Sequence, residues 1–252
     1  MMKRITLFML AALFSATTFA QDLSLDQILK NYYETTGLDK MKDVETLTVH
    51  GKSVTMGQEF PFTMYKKRPD KFRLEVPIQG ATMIQVYSDN SGWMVMPWTG
   101  TTDPKDMTED QLKGFKKETD FEGPLYNWKE KGNKVELMGK EDMEGSEVFV
   151  IKVTDTDNDI TTYYMDAENF VVLKTKTKTT MRGQEVESET YFSNYQEQDG
   201  FVMAHSIEVK NNGQTGQSME LTEIIYNEPV DDKLFVKPAP APKAEPAVEE
   251  KK

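Results

Sequence analysis

Phe60-Pro61-Phe62-Thr63-Met64-Tyr65-Lys66-Lys67-Arg68-Pro69-Asp70-Lys71-Phe72-Arg73-Leu74-Glu75-Val76 decides the fold, because it reads as two strands and the corner between them. On either side of Arg68-Pro69-Asp70 side chains alternate in character, and a period of two is the signature of a strand with one apolar face. Proline has no N–H and a fixed φ, so Arg68-Pro69-Asp70 turns the chain rather than continuing it. Phe60, Phe62 and Met64 share one face, opposite Pro61, Thr63 and Tyr65. Phe72, Leu74 and Val76 share another, opposite Lys71, Arg73 and Glu75.

The same period runs outward from this corner. Strands are predicted at 46–56, 59–67, 71–77, 82–88 and 93–98, separated by Gly57-Gln58, Arg68-Pro69-Asp70, Pro77-Ile78-Gln79-Gly80 and Asp89-Asn90-Ser91-Gly92. A polar helical segment at 104–118 and a short helix at 121–131, ending at Gly132, interrupt them. Strands resume at 134–141, 146–154, 160–166, 170–179, 184–195, 201–210 and 215–227. Turns this short dictate antiparallel pairing, since parallel neighbours need a crossover of about a dozen residues or more. Ahead of the strands lies a helix capped by Ser24 or Asp26. Leu25, Ile28, Leu29, Tyr32 and Tyr33 form its apolar stripe, Gly37 stops it, and a second helical turn follows at 38–44. The class is mainly β with few helices.

Ile84 and Val86 share a face of their strand, and Met94, Met96 and Trp98 alternate in the same way. One sheet face is therefore expected to be rich in Phe and Met. Two readings stand: an ordinary core under a helix, or a cavity in which flexible methionines adapt to apolar ligands. One helix covers only about 10–12 Å of sheet, so about a dozen strands need closure, a lid or a ligand to cover the rest.

Composition narrows the chemistry. The chain has 252 residues, and 30 Lys plus Arg against 42 Asp plus Glu leave a net charge of −12. That balance argues against nucleic acid as a partner, because phosphate contacts need clustered basic groups. There is no cysteine, and His50 and His205 are the only histidines. Disulfides, thiolate chemistry and a histidine metal cluster are thereby removed or left thin. Asp155, Asp157 and Asp159 have the spacing that begins a calcium loop, with Asp166 twelfth, but Ile160 stands where that loop needs glycine. A polar hairpin turn is the better reading. No nucleophile elbow, P-loop or dinucleotide fingerprint occurs, so no enzyme and no cofactor is expected. A hydrolase using an unrecognised carboxylate pair stays open as an alternative.

The ends have their own character. Lys3 and Arg4, the apolar run 5–14 and Thr18-Phe19-Ala20 read as a cleavable signal peptide over 1–20, so the mature protein is expected to be exported. No second apolar run of that quality occurs, so no transmembrane segment is expected after cleavage. Residues 21–236 form the expected domain, and 237–252 a disordered Pro/Ala/Glu/Lys tail.

The corner, followed by Met83-Ile84-Gln85-Val86-Tyr87-Ser88-Asp89-Asn90-Ser91-Gly92-Trp93-Met94-Val95-Met96-Pro97, resembles the LolA/LolB family of periplasmic lipoprotein carriers, the outer-membrane lipoprotein-sorting proteins. Leu234-Phe235-Val236-Lys237-Pro238 is similar to the family's terminal element. The resemblance implies an unclosed antiparallel β-barrel of about eleven strands over a hydrophobic cavity capped by helices. It implies a carrier of lipoprotein acyl chains or lipid toward the outer membrane of a Gram-negative envelope, with membrane donor and acceptor proteins as partners. A lipid or lipoprotein sensor or structural module of the same fold is the alternative. The cavity residues would be Phe60, Phe62, Met64, Phe72, Leu74, Val76, Ile84, Val86, Met94 and Met96. The family's corner arginine, which bonds the lid's backbone, falls on Arg68.

Overall fold

Ser24 opens the first helix, α1 (Leu25–Thr36), with a reciprocal cap: its hydroxyl accepts from the Gln27 N–H, and the Gln27 side chain accepts from the Ser24 N–H. Gly37, at φ 75°, ends it, and a Cβ there would lie 2.1 Å from the Gly200 carbonyl oxygen, so only glycine lets the helix end rest on that backbone. A single turn, α2 (Leu38–Met41), follows. The coordinates are a computed structural model that describes residues 23–181 and 184–239. The expected signal peptide and all but three residues of the expected tail lie outside the described residues.

The strands are β1 (Thr46–Thr55), β2 (Gln58–Lys67), β3 (Lys71–Ile78), β4 (Ala81–Ser88), β5 (Ser91–Val95), β6 (Lys105–Asp106), β7 (Lys134–Met143), β8 (Ser146–Thr154), β9 (Ile160–Asp166), β10 (Val172–Met181), β11 (Gln184–Gln198), β12 (Phe201–Asn211) and β13 (Gln214–Tyr226). They form one sheet in the order β6-β5-β4-β3-β2-β1-β13-β12-β11-β10-β9-β8-β7, and every pair is antiparallel. β6 and β7 remain as edges, so this is an unclosed barrel, of thirteen strands rather than about eleven.

Three expected elements differ. Only α3 (Glu109–Glu118) of the segment 104–118 is helical, because β6 takes Lys105–Asp106. The helix expected at 121–131 is a series of turns: Pro124 disfavours helix at Gly123, and Gly123 and Asn127 sit at positive φ. The strand expected to reach 98 stops at Val95, and Pro97–Thr99 forms a 3₁₀ turn.

Directly opposed residues of an antiparallel ladder point to the same face, so the register carries two faces across the whole sheet. All three helices pack on one face, here the inner face. Beneath α1, Ile28 and Leu29 join Val135, Phe149, Ile151, Val153 and Met165 in a fully buried core. Beneath α2, Leu38 and Met41 meet Val44 and Phe201. The outer face of β4 and β5 is covered by the chain after β13, where Val230 and Phe235 pack on Val86, Trp93 and Val95. Polar bonds fasten that strap: Arg73 donates to the Leu234 carbonyl, Trp93 Nε1 to the Phe235 carbonyl at 3.2 Å, and Lys71 to Asp232 at 2.8 Å.

Candidate functional site

Between the parts of the inner face that α1 and α3 cover lies a trough of incompletely buried apolar side chains. Met64 opposes Val49 on one side and Leu74 on the other, and Val76 opposes Met83. Leu47, Val49, Phe62 and Ile224 are the buried floor, with Met64, Leu74, Val76, Met203, Met219 and Leu221 packed against it half-buried. Gly51 makes room for the floor. A Cβ there would lie 2.5 Å from the Phe62 ring.

Seven of the ten expected cavity residues share this face: Phe60, Phe62, Met64, Phe72, Leu74, Val76 and Met94. Phe60, Met64, Leu74 and Val76 are half-buried along the trough. Phe62 is buried in its floor. Phe72 is buried with its ring 5.7 Å from that of Phe115 on α3, and Met94 is buried where Gln111 of α3 donates to its sulfur. Ile84 and Val86 are not cavity residues. They oppose Glu75 and Arg73, so they lie on the outer face, beneath the strap. The cause is parity: each strand alternates as read, but the even positions of β3 pair with the odd positions of β4. Met96 follows the end of β5, off the ladder, and Trp98 is exposed. The wall contributed by β12 and β13 was not anticipated, although Phe201, Met203, Ile207 and Val209 alternate in the sequence.

Arg68 closes one end of the trough. Its Nε donates to the Val44 carbonyl at 2.7 Å and its Nη2 to the Met41 carbonyl at 2.9 Å and the Glu122 carboxylate at 2.5 Å. The guanidinium also lies over the Phe121 ring, 4.4 Å from its centre. A planar fork of donors suits this, since it satisfies the α2 end and the loop after α3 in one geometry. Lys66, on the inner face two residues earlier, donates to the Asp120 carbonyl at 3.2 Å. Burial pushes its ammonium below the usual lysine range, against the attraction of Glu118, Asp120 and Glu122. In the last turn of α3, at the same end, Lys117 reaches the turn 155–159, with its Nζ 2.6 Å from carboxylate oxygens of Asp155 and Asp159 and 3.8 Å from Asp157. Burial opposes the Lys117 charge, but hydrogen bonds to Asp155 and Asp159 outweigh it and raise the pKa. The turn that has calcium-loop spacing thus holds an ammonium of this chain, and no group of His, Cys, Asp and Glu suited to a metal occurs among the described residues.

Two pockets lie elsewhere. One, of about 310 Å³, sits between Lys71, Trp93, Asp106 and the strap; the other, of about 350 Å³, opens on the outer face among Lys52, Glu59, Tyr191, Glu208 and Glu220. No helix among the described residues is long and apolar enough to cross a membrane.

A family model described as “Uncharacterized protein” matches residues 76–239. No curated protein matches the chain. Among solved structures, a LolA superfamily protein from Nitrosomonas europaea superposes with a TM-score of 0.58 at 13% identity, covering 86% of this chain and 99% of its own. A DUF1329 family protein from Desulfovibrio piger gives 0.56 at 13% identity, over 83% and 97%. A domain assigned as an outer membrane lipoprotein-sorting protein from Vibrio parahaemolyticus gives 0.55 at 13%, over 82% and 95%. At such identity the likeness is one of fold.

Proposed function

The chain belongs to the family described as “Uncharacterized protein” and has a LolA-like fold, and on that premise we propose that it is a periplasmic carrier that takes acyl chains of lipoproteins or lipids into the trough and delivers them toward the outer membrane. The observation that carries this reading is the half-buried wall of Phe60, Met64, Leu74, Val76, Met203 and Met219, which retains accessible apolar surface beside Phe121 of the loop after α3. Burying an acyl chain against it contributes about 0.8 kcal/mol per methylene, so cargo does not leave for water and must pass directly between membrane donor and acceptor proteins. Binding and hand-over then suffice, with no catalysis. Arg68 acts as the lid latch: it ties α2 and the loop after α3 to the β2–β3 corner, and its release lets both move off the trough. Residues 1–20 direct export and are removed, 21–236 are the carrier, and 237–252 trail from it. Mass spectrometry of an organic extract of the protein purified from the periplasm tests the reading. The expected result is acyl lipid or acylated peptide near one per chain; an extract without acyl compounds contradicts it.

A further inference from the structure

His205 stands on the inner face of β12 between Met203 and Ile207, and is only 6% exposed. Its Nδ1 lies 3.0 Å from the Leu221 carbonyl oxygen. A carbonyl only accepts, so Nδ1 carries the hydrogen, and in the neutral ring Nε2 is a bare acceptor. That Nε2 is buried and has no partner. Buried polar atoms are paired as a rule, and an exception calls for a partner the chain does not supply.

The surroundings indicate what that partner is. Ile207, Met219 and Leu221 flank the ring with apolar groups. Further along the sheet the inner-face positions of β9–β11 carry hydroxyls, Thr161, Thr175, Thr177, Ser188 and Thr190, with Thr161 and Thr177 3.2 Å apart. Among the described side chains of β9–β13 and β1–β4, the inner-face positions hold one charged group, Lys66, already bonded to the Asp120 carbonyl. Charge lies outside: Lys174, Lys176, Glu187, Glu189, Glu208 and Lys210 occupy outer positions of the same strands.

We infer that the trough takes an amphiphile with a neutral, hydrogen-bond-donating headgroup, whose O–H or N–H donates to His205 Nε2 while its acyl chain lies along Met203, Met219, Met64 and Leu74. This rests on the carrier reading and names its ligand class: an acylglycerol hydroxyl or an acyl-amide N–H rather than a fatty-acid anion.

Four oleoyl compounds, each titrated into the protein by calorimetry below its aggregation concentration, test it. They are 1-oleoylglycerol, oleamide, methyl oleate and sodium oleate. Binding of methyl oleate tests the carrier reading, because that ester offers the chain without a donor. Preference tests the inference: 1-oleoylglycerol or oleamide is expected to bind about tenfold tighter than methyl oleate, and the tighter of the two identifies the donor. His205→Asn keeps a donor for the Leu221 carbonyl but has no acceptor at the position of Nε2, so it should abolish the preference while methyl oleate still binds. Equal affinities in the unsubstituted protein, a preference that survives His205→Asn, or oleate binding tightest overturns the inference while leaving the carrier reading intact. Failure of all four to bind overturns both.

Discussion

Two stretches of one sheet alternate in the same way and end in different states. Along β8 and β9, inner-face Ile151 and Met165 are fully buried, because the apolar stripe of α1 lies on them. Along β2 and β3, inner-face Met64, Leu74 and Val76 stay half-buried, while α3 packs on Phe72, Gly92 and Met94. Alternation therefore specifies a strand with an apolar face, not what the face is for. What the face does is decided by the cover, and the cover is decided by where the few amphipathic segments land.

Substitutions sharpen that contrast. Ile151→Ala opens a cavity in a region that cannot collapse, and is expected to cost about 2–5 kcal/mol in urea unfolding. A loss below about 1 kcal/mol would break the comparison, since the α1 wing would then be no better packed than the trough. Arg68→Leu strands two carbonyls and the largely buried Glu122 carboxylate, so a loss of about 2–3 kcal/mol is expected, together with faster lipid exchange from the opened end. Unchanged exchange would reduce Arg68 to a structural clasp. Leu74→Ala removes only half-buried methyls, and about 1 kcal/mol is expected from the same unfolding measurement. A cost matching that of Ile151→Ala would make the trough ordinary core. Lys117→Ala has the smallest effect, below about 1 kcal/mol, because that side chain is 44% exposed. It should appear as faster hydrogen exchange across 109–118, and the difference should shrink in high salt. Exchange unaffected by the substitution would mean that α3 is held by its inner-face contacts, such as those of Gln111 and Phe115, and not by this ion pair.

Much of this was legible from the residues. The strands on both sides of Arg68-Pro69-Asp70, the Ser24 cap and the Gly37 stop are local matters of period, capping and turn chemistry, and each stands where the sequence places it. Register between strands is not local. A shift of one residue exchanges the faces, so Ile84 and Val86 were assigned to the trough although they lie beneath the strap. Long-range partners were invisible for the same reason. Nothing near Asp155 in sequence announces Lys117, and nothing near Trp93 announces Phe235. Met203 and Met219 come 139 and 155 residues after Met64, and only the β1–β13 pairing brings them to its wall.

The central claim is that the inner face of β2 and β3 is a binding wall and not core, and Leu74→Glu tests it most directly. Urea unfolding and binding of an acyl probe are measured on the same preparation. A carboxylate in a half-covered trough keeps access to water, so folding is expected to persist with a modest loss of stability. The acyl probe would have to lie against an unpaired charge, so its binding should fall at least tenfold. A variant that unfolds, or one that folds and binds the probe as before, contradicts the account.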